Sequence, residues 1–245
     1  MDSNIIQLKE KFQSIKAQGW IKSISNSNGS VGITFESLLG KKENNSVLPD
    51  YNGIELKCSS SSSFHPITLF SSNFDGPTKK ETQRLANLYG KADSIIKDKN
   101  IIFASLSCNK DYLLNSNYYI RIKLDYDSKK LFFVVSDFDH NIIEEKCFIK
   151  FNTLNIHLIT KLNYLAIITA NKKYVNGSLF FNYYKLELYK LKTFADFIKA
   201  IEDDKIKINL ILRINKSKSN YGKTDYKNVT FAIYKYDLKC IFNQY

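Results

Sequence analysis

The sequence predicts a mixed α+β fold with a central mixed β-sheet flanked by helices. Apolar residues recur at helical spacing near the N terminus, and alternating, aromatic-rich segments follow in the second half. The chain has 245 residues, 44% of them hydrophobic, which is enough to bury a core. No linker-like segment divides it, so we expect a single domain, 1–245, with two lobes around a cleft.

The first third predicts two helices and one strand. Four apolar residues at helical spacing define the first helix: Ile5, Leu8, Phe12 and Ile15. Gly19 ends it, and a second helix is predicted over 32–39, before Gly40. Residues 49–53 have turn composition, and residues 54–58 alternate apolar with polar, as a half-buried strand does.

The remaining chain predicts one long helix followed mainly by strands. The helix covers 78–97, with Thr78 as N-cap and Glu81 completing a capping box. A hairpin is predicted over 118–126 and 130–136. Further strands are predicted over 164–170, 179–191, 206–214 and 229–236, with a short helix over 194–201.

The net charge and the cysteine pattern restrict the classes of function that this protein can have. The formal net charge of +12 favours an anionic partner, most often nucleic acid, although a Lys-rich composition typical of an AT-rich genome is the alternative. No apolar run approaches the roughly 18 residues of a membrane span, and the start lacks signal-peptide features. Four scattered cysteines argue against zinc or a disulfide framework. We therefore expect a cytoplasmic protein.

One acidic and basic pattern has the composition of a nuclease site. Glu55 and Lys57 project from the same strand face, and Asp50 lies in the preceding turn. Two carboxylates and a backbone carbonyl, that of Leu56, suit Mg²⁺, while Lys57 would orient the attacking water. Similar patterns occur at Asp127/Lys129, beside Asp125, and at Asp203/Lys205, and a solvated strand face with a surface ion pair remains the alternative.

Several short motifs in order resemble a known family. They are Gly32–Gly40, Glu43-Asn44-Asn45, Pro49–Lys57 and residues 67–70. Together they resemble the MvaI/BcnI family of type II restriction endonucleases, whose core is similar to the mismatch-repair nicking enzyme MutH. The resemblance implies a PD-(D/E)XK fold and cleavage of double-stranded DNA with Mg²⁺, or Mn²⁺ in its place. It also implies a catalytic lobe over about 1–160 and a DNA-recognition lobe over about 161–245.

The resemblance assigns roles to further residues. Asp50 and Glu55 correspond to metal-binding carboxylates, Lys57 to the catalytic lysine and Glu36 to an additional acidic residue. A Ser-rich segment would be a loop near the DNA backbone; its candidates are Ser60, Ser61 and His65. Near the C terminus the family's histidines are absent and Ala232 stands where arginine is expected.

A basic segment near the C terminus is the candidate base- or phosphate-reading loop. Its members are Arg213, Lys216, Lys218, Tyr221 and Lys223; a basic surface loop is the alternative. The leading interpretation is a monomeric restriction enzyme with a cognate DNA methyltransferase in the same system. The alternatives are a MutH-like or methylation-sensitive nickase and a non-catalytic DNA-binding protein.

Overall fold

The computed structural model describes residues 2–27, 29–40, 48–62, 64–226 and 229–245. The chain forms two compact units that are interleaved in sequence. The first contains Met1–His65, Leu158–Lys192 and Phe242–Tyr245, and the second contains Pro66–His157 and Thr193–Ile241. Residues 161–192 therefore belong to the unit that holds Asp50 to Lys57, whereas the sequence placed them in a second lobe beginning near 161.

Five helices and fifteen strands occur in the described residues. The helices are α1 (Asp2–Ala17), α2 (Ser30–Leu38), α3 (Glu81–Tyr89), α4 (Phe151–Leu162) and α5 (Phe194–Glu202). The strands are β1 (Ile21–Lys22), β2 (Glu55–Ser60), β3 (Ile67–Ser72), β4 (Lys91–Ala92), β5 (Asn100–Leu106), β6 (Tyr112–Leu113), β7 (Tyr118–Asp125), β8 (Lys130–Asp137), β9 (Ile142–Lys150), β10 (Tyr164–Val175), β11 (Ser178–Leu191), β12 (Ile206–Ile214), β13 (Thr224–Tyr226), β14 (Val229–Ile233) and β15 (Phe242–Gln244). Short 3-10 helices cover Lys218–Asn220 and Lys235–Cys240.

The first unit is built on one sheet with the strand order β1-β11-β10-β2, and β15 also pairs with β11. All of its pairs are antiparallel except β10 with β2, which run parallel from Leu165 opposite Glu55 to Ala170 opposite Ser60. One hydrophobic core joins α1 and α2 to this sheet; it includes Leu8, Phe12, Phe35, Leu56 and Ile168. Because alternate residues of β2 enter this core, Glu55 and Lys57 project from the opposite face.

The second unit contains two sheets. One has the order β3-β14-β12-β5-β4, with β13 paired to β12, and the other has the order β6-β7-β8-β9. Aromatic rings stack on the first of these sheets, where the ring centroids of Phe70 and Phe231 are 4.8 Å apart. Phe197 of α5 packs against both rings. The mixed α+β class is confirmed, with three sheets where the sequence suggested one central sheet.

The third helix is shorter than predicted. It begins at Glu81 and ends at Tyr89, not 78–97, and its N-cap is Lys80. Thr78 instead donates both its N–H and its hydroxyl to the Glu81 carboxylate. A Cβ at Gly90 would lie 2.5 Å from the Ala86 carbonyl and 2.7 Å from the Ile101 carbonyl. The backbone at Gly90 is extended (φ −71°, ψ 172°) and leads into β4, and glycine is needed there because a side chain would clash with both carbonyls.

Several other elements differ from expectation. Elements α4, β5 and β9 were not predicted, and the predicted strand over 229–236 ends at Ile233. Strand β10 continues to Val175, five residues beyond its predicted end. All four cysteines are free thiols. None of the helices in the described ranges combines the length and hydropathy that a membrane span requires.

Candidate active site

A tight turn brings Asp50 beside the strand that it precedes. Tyr51 and Ile54 form a reciprocal backbone pair, with N–O distances of 2.9 and 2.8 Å. Asn52 and Gly53 between them have φ values of 45° and 86°, which is why an Asn-Gly pair suits this position. The turn reverses the chain, so that the Asp50 carboxylate accepts a hydrogen bond from Leu56 N–H at 3.0 Å.

Strand β2 presents a backbone edge next to Asp50. It is the terminal strand of its sheet in the described part of the chain, with β10 on its other side. The N–H and C=O of one strand residue point toward the same edge. Because the Leu56 N–H reaches Asp50, the Leu56 carbonyl lies on that same edge, as the predicted metal site requires.

Glu55 and Lys57 share a face, as predicted, but Glu55 is not solvated. Lys57 Nζ lies 2.6 Å from Glu55 Oε1, and the side chains are 27% and 1% exposed respectively. Burial raises the pKa of Glu55; Lys57 and Lys161 oppose the rise and Asp50 adds to it. The other carboxylate oxygen, Oε2, is buried and accepts no hydrogen bond from any described residue. The alternative of a surface ion pair does not fit this burial.

A second lysine, not predicted from the sequence, also contacts Glu55. Lys161 Nζ lies 3.4 Å from Glu55 Oε1, and its side chain is 26% exposed. Lys161 is in the last turn of α4, four residues before Leu165, which pairs with Glu55. Apolar residues at 154, 158 and 162 were a sequence signal for this helix. The parallel pairing that carries Lys161 to Glu55 has no local signal.

Glu36 lies on α2, which packs beside β2. Glu36 and Cys58 lie on either side of Gly32. A Cβ built on Gly32 would be 3.7 Å from Oε1 of Glu36 and 3.9 Å from the Cβ of Cys58. The pKa of the Cys58 thiol is raised, first by burial and then by the negative charge of Glu36. The predicted acidic set therefore belongs to neighbouring elements of one compact unit. The Glu43-Asn44-Asn45 motif lies outside the described residues.

The Ser-rich segment is partly strand. Ser60 ends β2, and beyond it the Ser61 N–H still bonds to the Ala170 carbonyl at 2.9 Å. The Ser61 hydroxyl donates to the Asn171 side-chain oxygen at 2.9 Å, and His65 is exposed. The predicted loop thus begins after Ser60, and Ser63 lies outside the described residues.

The basic C-terminal candidates belong to the second unit, where several have internal partners. Arg213 pairs with Asp225 at 2.9 Å, and Lys223 donates to Asn220 at 3.2 Å. Lys216 pairs at 3.0 Å with the buried Asp93.

The Lys216 partner is held as an anion. The pKa of Asp93 is lowered to about 2 by hydrogen bonds from the N–H groups of Ile96 and Ile95 and from Lys216. Lys216 therefore anchors this loop, and Lys216, Lys218 and Tyr221 are all exposed.

A buried cluster in the second unit contains residue types that bind metals, but an arginine side chain occupies the place of the cation. Ligand atoms of Glu81, Glu144 and Cys147 lie within 4.8 Å of one another. The Arg84 guanidinium contacts all three, at 2.5 Å to Glu81, 2.9 Å to Glu144 and 3.0 Å to the Cys147 sulfur. The hydrogen bond from Arg84 is the main cause of the lowered pKa of Glu144. The guanidinium is thus the cation of this cluster.

Replacing Arg84 with alanine should destabilise the protein strongly, because two buried carboxylates would lose their counter-charge. Breaking such a pair costs about 3–5 kcal/mol. That loss corresponds to a decrease in melting temperature of roughly 6–20 °C for a chain of this size. Arg213→Ala, which breaks the exposed pair with Asp225, is the matched control and should change little. Equal melting temperatures for the two variants would contradict the assignment.

Comparison with known proteins identifies the family. The profile of the MvaI/BcnI restriction endonuclease family matches residues 9–242. A solved complex of the restriction endonuclease MvaI with cognate DNA is 29% identical, covers 100% of this chain and 98% of its own, and has a TM-score of 0.90. MvaI in the absence of DNA has the same identity and coverage and a TM-score of 0.63. Curated proteins give no match.

The predicted resemblance and the predicted PD-(D/E)XK-like fold are thereby confirmed. The family profile covers nearly the whole chain, far beyond the motifs between residues 32 and 70 that carried the resemblance. The chain belongs to the MvaI/BcnI restriction endonuclease family and is a type II, site-specific DNA endonuclease.

Proposed function

We propose that the chain hydrolyses phosphodiester bonds of double-stranded DNA at a short sequence, with Mg²⁺ held by Asp50, Glu55 and the Leu56 carbonyl. The buried Glu55 carboxylate carries this proposal. Its Oε1 contacts two lysines, while Oε2 is buried without a hydrogen-bond donor among the described residues. Burying such an oxygen is costly unless a ligand satisfies it.

The donor set suits a hard divalent cation, which enzymes of this family generally use. One oxygen of Asp50 accepts from Leu56, and no described residue bonds the other. Carboxylate and carbonyl oxygens are preferred by Mg²⁺, and Mn²⁺ is expected to substitute. When bound, the metal would supply a more acidic water and neutralise charge on the phosphate.

The two lysines that contact Glu55 would have different roles. Lys57 is partly exposed and points to the face of Glu55, where its ammonium would orient the attacking water and offset developing negative charge. Lys161 holds Glu55 Oε1 from the side of α4 and would keep the carboxylate in place. Glu36 would contribute a further negative charge beside this site, and the bound Mg²⁺ would balance that charge.

We assign catalysis to the first compact unit and base recognition to the second. The first holds Glu36, Asp50, Glu55, Lys57 and Lys161. The second holds the basic segment, in which Lys218 and Tyr221 are exposed for contacts with phosphates or bases. Ser60, Ser61 and His65 would contact the DNA backbone from the first unit. The complex of MvaI with cognate DNA supports DNA as the partner.

The remaining assignments follow the family tendency. We expect the enzyme to act as a monomer inside the cell, cutting the two strands in turn. A DNA methyltransferase of the same system would protect the host sequence without forming a stable complex.

The test is incubation of plasmid DNA from several methylation backgrounds with Mg²⁺ or with EDTA. We expect discrete linear fragments that require Mg²⁺, and sequencing of their ends would give the recognition site. Nicked circles that persist would indicate a MutH-like nickase. Binding without any cutting on unmethylated DNA would overturn the proposal in favour of a non-catalytic DNA-binding protein.

A further inference from the structure

The end of the β10–β11 hairpin projects beyond the core of the first unit. Residues 165–170 of β10 are all buried, whereas residues 171–177 are all exposed. Asn176 and Gly177 form the reversal, with φ values of 48° and 74°. Lys172 and Lys173 lie on this projecting part, and Lys173 Nζ is 4.2 Å from the Trp20 ring centroid.

A small polar pocket lies beside this hairpin, on the α2 side of the sheet. Its volume is about 150 Å³, and its polar lining includes Ser27, Ser30, Ser60 and Lys172. Typical small-molecule sites have roughly 300–1,000 Å³, so the pocket suits a smaller group. The backbone N–H groups of Ser30 and Gly32 already bond to carbonyls at 3.0 Å. The pocket therefore offers mainly hydroxyls and one ammonium.

We propose that this pocket binds a backbone phosphate of the DNA, at a distance from the phosphate that is cut. Lysine is a point-charge partner for phosphate, and serine hydroxyls are common phosphate donors. In the described part of the chain, Lys172 forms no ion pair with a carboxylate, so its charge is available. The proposal rests on the proposed function, because it takes DNA as the ligand.

The position of Ser60 separates the pocket from the catalytic residues. Ser60 follows Glu55 by five residues in β2, which is about 16 Å along a strand at ~3.3 Å per residue. It also has the parity of Leu56, so the pocket lies on the α2 side of the sheet, whereas Glu55 and Lys57 project from the opposite face. A backbone phosphate in the pocket is therefore not the one that is cut, and the contact would strengthen binding with little dependence on sequence.

The first test measures how salt affects binding of a fluorescent 30-base-pair duplex in Ca²⁺, by polarisation. Lys172→Ala should weaken binding about three- to tenfold. It should also lower the magnitude of the salt slope, log Kd against log salt, by about 0.9, the value for one lost phosphate contact. Lys172→Arg should restore the slope, and Lys9→Ala on α1 should leave it unchanged. Equal melting temperatures would exclude a folding defect.

The second test locates the contact. In duplexes that carry the mapped cleavage site, one neutral methylphosphonate is placed at each flanking position in turn. At one or more of these positions it should weaken binding by the wild type but not by Lys172→Ala. Unchanged salt slope in Lys172→Ala, or equal methylphosphonate effects in both proteins at every position, would overturn the inference. The two failures are distinguishable: absence of Mg²⁺-dependent plasmid cutting counts against the proposed function, whereas the salt slope tests the pocket on any duplex.

Discussion

Replacing Lys57 with alanine should reduce the single-turnover rate of DNA cleavage by about 10²–10⁴-fold, the range for loss of a general acid–base or charge-stabilising group. Lys57 Nζ is 2.6 Å from the buried Glu55 carboxylate and still 27% exposed, so it can reach a bound phosphate. DNA affinity in Ca²⁺ should change by no more than a few-fold, because one of many phosphate contacts is lost. Rates of plasmid cutting at saturating enzyme and titrations in Ca²⁺ separate the two effects.

The chain offers a matched control with the same acidic-x-Lys spacing. Lys129 follows Asp127 in the β7–β8 turn, with a φ of 53°. Asp125 there accepts hydrogen bonds from the N–H groups of Asp127 and Ser128 in the same turn. Its carboxylate thus stabilises the turn. Lys129→Ala should cleave at the wild-type rate. If Lys57→Ala also cleaved at the wild-type rate, Lys57 would not belong to the catalytic site.

The contrast between these two patterns shows what sequence could predict about the site. Alternation along β2 and the Asn-Gly turn are local features, and they correctly placed Glu55 and Lys57 on one face, after a turn that follows Asp50. Burial of Glu55 is a tertiary property, set by the packing of the sheet around it. Spacing alone therefore could not separate Asp50/Glu55/Lys57 from Asp127/Lys129.

Non-local contacts also explain where the fold differs from the elements predicted from the sequence. The helix predicted over 78–97 has suitable composition, but the Ile101 carbonyl approaches Gly90 and the chain turns there. Arg84, Glu144 and Cys147 meet across about sixty residues of sequence. Lys161 reaches Glu55 only because β10 pairs in parallel with β2. Patterns with periods of two or four residues cannot report any of these contacts.

The second prediction with a large effect concerns Glu55→Gln, which should abolish Mg²⁺-dependent cleavage and yet raise the melting temperature of the metal-free protein at pH 8. The amide keeps the shape of the carboxylate but lacks the charge that a hard cation requires. Lys57 and Lys161 are each more than a quarter exposed, so water can solvate their ammonium groups after the substitution. Their loss of a partner should therefore cost less than the relief of burying a carboxylate.

The pH dependence of this effect has a defined sign. Burial raises the pKa of Glu55 above its usual value of 4.5, so between that value and the raised pKa the native state binds more protons than the unfolded state. The free energy of unfolding of the wild type therefore falls as pH rises through this window, and that part of the loss is absent in Glu55→Gln. The two proteins should melt alike below about pH 4 and diverge toward pH 8, by roughly 2–4 °C for each kcal/mol.

Metal should reverse the order of stability. A cation that binds only the native state stabilises it by mass action, so saturating Mg²⁺ should raise the melting temperature of the wild type and leave Glu55→Gln unchanged. Thermal unfolding in EDTA and in Mg²⁺, at pH 4 and pH 8, measures both effects. A metal-free Glu55→Gln protein that melts below the wild type at pH 8 would mean that the lysine contacts outweigh the burial of Glu55. An equal Mg²⁺ shift in both proteins would place the cation away from Glu55.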